Sequence, residues 1–225
     1  MSTASPLDRL IAPEISGDRL YRTIAELAAT PGVLEILEIG SSSGAGSTEA
    51  WVAGALRNPD RPRLHCLEVS RTRFAALAER WREYDFVHCY NVSSVPVERF
   101  PSEEEVVRFY REERSRLRRT PLPMVLGWLR ADLDYIRREG LSGHGIRDVK
   151  ESAGVDVFDA VLIDGSEFTG EAELDEVYGA RFVVLDDTRT FKNWRNARRL
   201  EADPTYRLVR KSRWTRNGFA VFERL

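Results

Sequence analysis

Residues 33–48 read VLEILEIGSSSGAGST, and this stretch decides how the rest of the chain folds. Its first half is almost wholly apolar, with Val33, Leu34, Ile36, Leu37 and Ile39. A strand covered by helices on both faces reads this way. The second half is glycine and serine. Gly40, Gly44 and Gly46 let the backbone turn sharply and approach a ligand with no Cβ in the way. Ser47 or Thr48 is then placed to cap a helix through Ala50, Trp51, Val52 and Leu56. Strand, glycine turn and helix start together present free backbone N–H groups to a ligand. The bland alternative is a tight strand-to-helix turn with no ligand.

Spacing narrows the ligand. A phosphate-cradling loop needs Lys before the Ser/Thr, and here Gly46 precedes Ser47. The dinucleotide pattern G-x-G-x-x-G fails from Gly40 at Ser42 and Ala45, and from Gly44 at Glu49. What stands is E-x-G-x-x-x-G-x-G, from Glu38 to Gly46. This resembles the first motif of class I S-adenosylmethionine (SAM) methyltransferases, in the version of the small-molecule O-methyltransferases of catechol and macrocin type. The resemblance implies that Glu38 and the loop Gly40, Ser42, Gly44, Gly46 and Ser47 hold the methionine end of SAM.

The remaining pattern follows outward from this stretch. Residues before Gly17 read as a loose arm. Asp18 is placed to cap a helix with Leu20, Ile24, Leu27 and Ala28 on one face, ended by Pro31-Gly32. Arg63–Val69 reads as the second strand. Glu68 falls near its carboxyl end, about twenty residues past the glycine loop, where an acid accepts both ribose hydroxyls of a nucleoside. Such an acid serves SAM and NAD alike, so NAD is disfavoured only by the glycine spacing. Ser70 is placed to cap a third helix with Phe74, Leu77, Ala78 and Trp81. Phe86–Tyr90 is the third strand, and Asn91 and Ser93 follow it. In the fold this resembles, that loop lies beside the adenine.

From Pro101 to Val155 the pattern changes. A charged helix with Val106, Phe109, Tyr110 and Leu117 as its apolar side precedes a cleaner stripe, Val125, Leu129, Leu133 and Ile136. This block is too long for a simple connection. It reads as a helical insertion between the third and fourth strands: a lid over the acceptor pocket, or a partner or dimer surface through which the chain forms a homo-oligomer.

FDAVLID (158–164) is the fourth strand, Arg181–Leu185 the fifth, and Tyr206–Lys211 and Gly218–Glu223 a closing hairpin. The expected fold is α/β: a Rossmann-like three-layer sandwich with a mostly parallel seven-stranded sheet and an antiparallel last strand. Residues 1–225 are expected to form one such domain, with residues 1–32 as arm and first helix and 101–155 as the insertion.

Acids recur at the carboxyl ends of these strands: Glu68, Asp164, Asp186 and Asp187. Ligands bind outside that edge of an open α/β sheet. IDGSE (163–167) resembles the IDG-x-H segment of macrocin-like methyltransferases, with Glu167 where His often stands. Asp164 and Glu167 are therefore candidate bases, joined by His144 in a glycine-flanked loop. The same resemblance implies a Mg²⁺ site at Asp164, Asp187 and Thr188, with Thr188 replacing the usual amide. His65 and His88 read as packed strand residues, as do Cys66 and Cys89.

Composition excludes several classes. With 225 residues and 42% apolar content the chain builds a sizeable core. Lys+Arg 34 against Asp+Glu 36 leaves no nucleic-acid footprint. No apolar run is long enough to span a membrane, and the start MSTASPLDRLIAPE lacks the features of a secretory signal, so a cytoplasmic protein is expected. The combined reading is methyl transfer from SAM to a hydroxyl of a small acceptor, a sugar or natural-product intermediate, with Mg²⁺ as an added expectation. The alternative is a degenerate SAM-binding domain with a regulatory or assembly role.

Overall fold

The structure is a computed structural model that describes residues 6–225. The strands are β1 (Glu35–Ile39), β2 (Arg63–Leu67), β3 (Val87–Tyr90), β4 (Ala160–Ile163), β5 (Phe182–Leu185), β6 (Tyr206–Ser212) and β7 (Phe219–Arg224). The helices are α1 (Arg19–Ala28), α2 (Ser47–Ala55), α3 (Arg71–Trp81), α4 (Glu103–Glu112), α5 (Leu122–Glu139), α6 (Gly145–Ala153), α7 (Gly170–Val177) and α8 (Phe191–Ala202). The strands form one sheet in the order β3-β2-β1-β4-β5-β7-β6. β1 pairs in parallel with both β2 and β4, while β7 runs antiparallel to β5 and β6. Strand order reverses beside β1, and that reversal opens a crevice at the carboxyl edge.

Alternation along the strands sends apolar side chains into two layers. Ile36 and Leu162 pack with α1, α2 and α3, whereas Leu37 and Val161 pack with α6, α7 and α8. Ile36 and Leu37 are both fully buried, each contributing about 1.5–3 kcal/mol. A strand that must feed both layers has no solvent face, which is why β1 is apolar except at Glu35 and the fully buried Glu38. The outer strand β6 carries Arg207, Arg210 and Lys211 and an irregular register between Leu208 and Arg210, features that discourage edge-to-edge pairing.

The insertion between β3 and β4 holds α4, α5 and α6. A capping box of Ser102 and Glu105 starts α4. Val106, Phe109 and Leu117 join Val125 and Leu129 of α5 in a third core, which also takes in Phe168, Phe191 and Trp194. The insertion is thereby packed onto the segments that follow β4 and β5. Among the described residues no helix is long and apolar enough to cross a membrane.

Several local expectations need correction. α2 is capped by Gly46 with no side-chain cap bond, because the Thr48 hydroxyl donates to Glu38 instead. α8 begins at Phe191, which brings Lys192 into its first turn. The segment before Gly17 is not loose over its described part. Asp8 accepts hydrogen bonds from Tyr135 Oη at 2.7 Å and Ser70 Oγ at 3.1 Å, and Arg73 Nε donates to the Arg9 carbonyl at 2.9 Å. The first five residues of that arm lie outside the described residues.

Candidate active site

A cavity of about 300 Å³ lies at the carboxyl edge of β1, β2, β4 and β5. The glycine loop forms its floor. Gly40 has a φ of +88°, and a Cβ there would sit 2.3 Å from the Asp164 carbonyl oxygen. Only glycine lets the ends of β1 and β4 approach this closely. Gly40, Ser42 and Ser47 line the cavity. Glu38, Gly44 and Gly46 do not; they shape the loop from behind. Glu38 Oε2 accepts from Thr48 Oγ1 at 2.6 Å, and the Gly44 carbonyl accepts from Trp81 Nε1 at 2.8 Å. Glu38 is fully buried and its Oε1 has no hydrogen-bond partner among the described residues. Burial pushes its carboxyl up from the ordinary value.

Glu68 stands on the cavity wall just past β2. Its Oε2 accepts the Ser42 N–H and its Oε1 the Ser70 N–H, both at 2.7 Å. One carboxylate thus ties the glycine loop to the start of α3, and each oxygen keeps a second lone pair for a ligand. Burial raises its pKa, against the Ser70 amide and the Arg73 charge. Ser93 lines the cavity, with its hydroxyl donating to the Val95 carbonyl at 2.6 Å. Asn91 does not line it. Its amide donates to the carbonyls of Glu68 at 2.8 Å and Val69 at 3.0 Å, and so holds the segment that carries Glu68.

The far end of the cavity is acidic. Asp164, Asp186 and Asp187 line it after β4 and β5, and Lys192 lies among them. Lys192 Nζ donates to Asp164 Oδ1 at 2.7 Å and to Asp187 Oδ2 at 3.0 Å. Arg216 holds Asp186 through two contacts, at 2.9 and 3.0 Å, and also pairs with Asp18. Burial pushes the Asp164 carboxyl well up, opposed by the Lys192 charge. Burial would also raise Asp187, but the adjacent ammonium outweighs it and holds that carboxyl below its usual value. Burial alone would lower Lys192; Asp164, Asp187 and Glu167 instead push it well up, so it stays an ammonium ion. Asp187 has a φ of +52°, a backbone state that Asp tolerates better than most residues.

Local backbone places Lys192. Asn193 leaves helical geometry at φ −126°, and its amide donates to the carbonyls of Ile163 at 3.0 Å and Asp186 at 2.7 Å. That clamp joins the ends of β4 and β5 to the start of α8. At Gly170 a Cβ would sit 1.9 Å from the Lys192 carbonyl oxygen, so the start of α7 must be glycine for α8 to approach. From the insertion, Asp132 of α5 reaches the same end of the cavity and accepts from Ser166 Oγ at 2.6 Å.

The expected Mg²⁺ site is corrected by this geometry. The space between Asp164 and Asp187 holds the Lys192 ammonium. Thr188 faces away, and its Oγ1 would lie 2.9 Å from a Cβ at Gly218. No group of three or more His, Cys, Asp or Glu is arranged to hold a metal ion among the described residues. The residues present do not fit a divalent cation.

Two candidate bases also fall elsewhere. Glu167 does not line the cavity; its Oε1 accepts the Phe191 N–H at 2.7 Å and its Oε2 the Thr190 hydroxyl at 3.1 Å, at the start of α8. His144 is exposed at the start of α6, away from the cavity wall. His65 is buried between Tyr90 Oη at 3.1 Å and Glu35 at 3.0 Å and stacks on His88, as packed strand residues do. Cys66 and Cys89 are free thiols in register on neighbouring strands.

Lys192, Asp132, Ser166 and Arg73 were not singled out in the sequence. One signal pointed to Lys192: it is one of only three lysines among 34 basic residues.

No family model and no curated protein matches the chain. Solved structures do. An O-methyltransferase from Bacillus cereus in complex with S-adenosylhomocysteine (SAH) superposes with a TM-score of 0.57 at 14% identity, covering 96% of this chain and 84% of that one. A methyltransferase from Geobacter sulfurreducens gives 0.54 at 12% identity, covering 94% and 81%. At such identities the likeness speaks for the fold: this chain has the Rossmann-like fold found in SAM-dependent methyltransferases.

Proposed function

We propose that the chain is a SAM-dependent O-methyltransferase acting on a small, polar, hydroxylated molecule. The observation that carries this reading is Glu68, set on the cavity wall and bonded to the Ser42 amide of the glycine loop. When bound, SAM supplies an electrophilic methyl carbon on a sulfonium. Glu68 accepts the ribose hydroxyls, Gly40–Ser42 meets the methionine end, and Ser93 lies on the adenine side. Carboxylates outnumber cations on the wall, which favours a positively charged cofactor.

The acceptor enters where Asp132, Ser166, Asp164 and Lys192 converge. That end offers hydrogen-bonding groups suited to a sugar-like molecule rather than a flat apolar one. Methyl transfer is chiefly a matter of holding two reactants in line. The acceptor hydroxyl must also lose its proton, and Asp164, which lines this end of the cavity beside Lys192, accepts it. The test is transfer of labelled methyl from SAM to a panel of small hydroxylated acceptors. Methylated product with release of SAH supports the reading. Tight SAH binding without transfer to any member would favour a degenerate domain with a regulatory or assembly role.

A further inference from the structure

Lys192 is nearly fully buried, with 7% of its surface exposed, yet it reaches the cavity. Two of its three ammonium protons are committed, one to Asp164 and one to Asp187. The third has no partner among the described residues. Most other ion pairs among the described residues use arginine, as at Asp186, Glu103 and Glu176, and the lysine pair Lys211–Glu201 lies at the surface. A guanidinium is a wide planar fork, whereas an ammonium is a compact point charge that fits between two converging carboxylates. Choosing a rare lysine at this one buried position gives the acidic edge a cation of nearly ionic size.

We propose that Lys192 is a built-in cation that takes the place of a divalent metal at this edge, with its free N–H left for the acceptor oxygen. The proposal rests on the O-methyltransferase reading and deepens it. A divalent ion such as Mg²⁺ requires close to six oxygen ligands in octahedral array. Here it would have to expel a buried ammonium from two carboxylates and recruit a third group, and Thr188 is turned toward Gly218. The ammonium supplies the same service with one charge less. It lowers the pKa of a hydroxyl bonded to it and holds the oxygen's negative charge as it develops. In the transfer, the hydroxyl proton passes to Asp164 and the oxygen lone pair forms the O–C bond. The electron pair of the broken C–S bond stays on sulfur, and Lys192 keeps all three protons throughout.

The test is titration with Mn²⁺, following the free ion by electron paramagnetic resonance, on wild type, D164N, K192A and K192A/D164N, with SAH binding measured in parallel. Wild type is expected to leave Mn²⁺ free. K192A should expose the two carboxylates and bind one Mn²⁺ at least about tenfold more tightly than wild type. Adding D164N should abolish that gain. Uptake of one Mn²⁺ by wild type, lost in D164N, would overturn the proposal, as would a K192A protein that binds SAH but takes up no Mn²⁺. Should K192A fail to fold, wild type against D164N decides alone. Failure of wild type to bind SAH would instead sink the methyltransferase reading, whatever the Mn²⁺ result.

Discussion

Replacing Glu167 with Gln separates a base from a helix clamp. Glu167 is half-buried, bonded to the Phe191 amide and the Thr190 hydroxyl. Burial, only partly offset by the Lys192 charge and reinforced by Asp187, pushes its carboxyl from 4.5 to about 7. An acid with a raised folded-state pKa binds more protons folded than unfolded between those two values. Folding stability therefore falls as pH rises from about 4.5 to 7 and levels off above. The full ionisation penalty at pH 8 is about 3 kcal/mol by that difference, and about 1–3 kcal/mol once solvent screening is allowed for. Gln keeps an oxygen for the Phe191 amide and does not titrate. Urea unfolding of wild type and E167Q at pH 4.5 and pH 8 should thus show the variant gaining about 1–3 kcal/mol relative to wild type at the higher pH. Contributions shared by both proteins cancel in that comparison. A difference independent of pH, or one that shrinks as pH rises, would refute the reasoning.

Three further outcomes follow from the geometry. E68Q puts an NH₂ against one of two amide donors and removes a charge-assisted bond of about 1.5–3 kcal/mol, so calorimetry should record SAH affinity lower by about 10–100-fold; unchanged affinity would remove the ribose assignment. G170A drives a Cβ onto the Lys192 carbonyl, and denaturant melts should show a loss of about 2–3 kcal/mol, whereas wild-type stability would mean that α7 and α8 approach less closely. Y135F removes the hydroxyl that donates to Asp8 and accepts the Arg71 N–H, a loss of about 1 kcal/mol, so limited trypsin cleavage at Arg9 should quicken about fivefold; an unchanged rate would show that the arm is held by other contacts.

How legible each feature was depends on the range of its interactions. β4 and β5 stand out because both their faces are buried, leaving unbroken apolar runs, and β1 departs from that pattern only at Glu35 and the buried Glu38. The α1 cap at Asp18 was equally plain, since its side chain bonds the Tyr21 amide three residues away. Glu68 could be located because topology alone puts the end of β2 beside the loop after β1. Lys192 could not, because its meaning comes from Asp164, 28 residues distant, and from the glycine that lets α8 approach. The hold on the arm likewise rests on Asp8 meeting residues 62 and 127 positions away, with no local pattern to announce it. Asp132 sits on a helix whose apolar stripe was clear, but its reach into the cavity depends on how the insertion docks. Where the Glu167 side chain points was hidden for a related reason: it follows Asp164 closely in the chain, but its carboxylate turns toward the start of α8.

The central claim is that the cavity over the glycine loop takes SAM. Calorimetric titration of the chelator-treated protein with SAH and, separately, with NAD⁺ tests it most directly. The account predicts one SAH site of about micromolar affinity, unaffected by added Mg²⁺, and no comparable heat with NAD⁺. Binding of NAD⁺ in place of SAH would contradict it, and so would no binding of SAH at all, which would reduce the stretch from Glu38 to Gly46 to a structural turn.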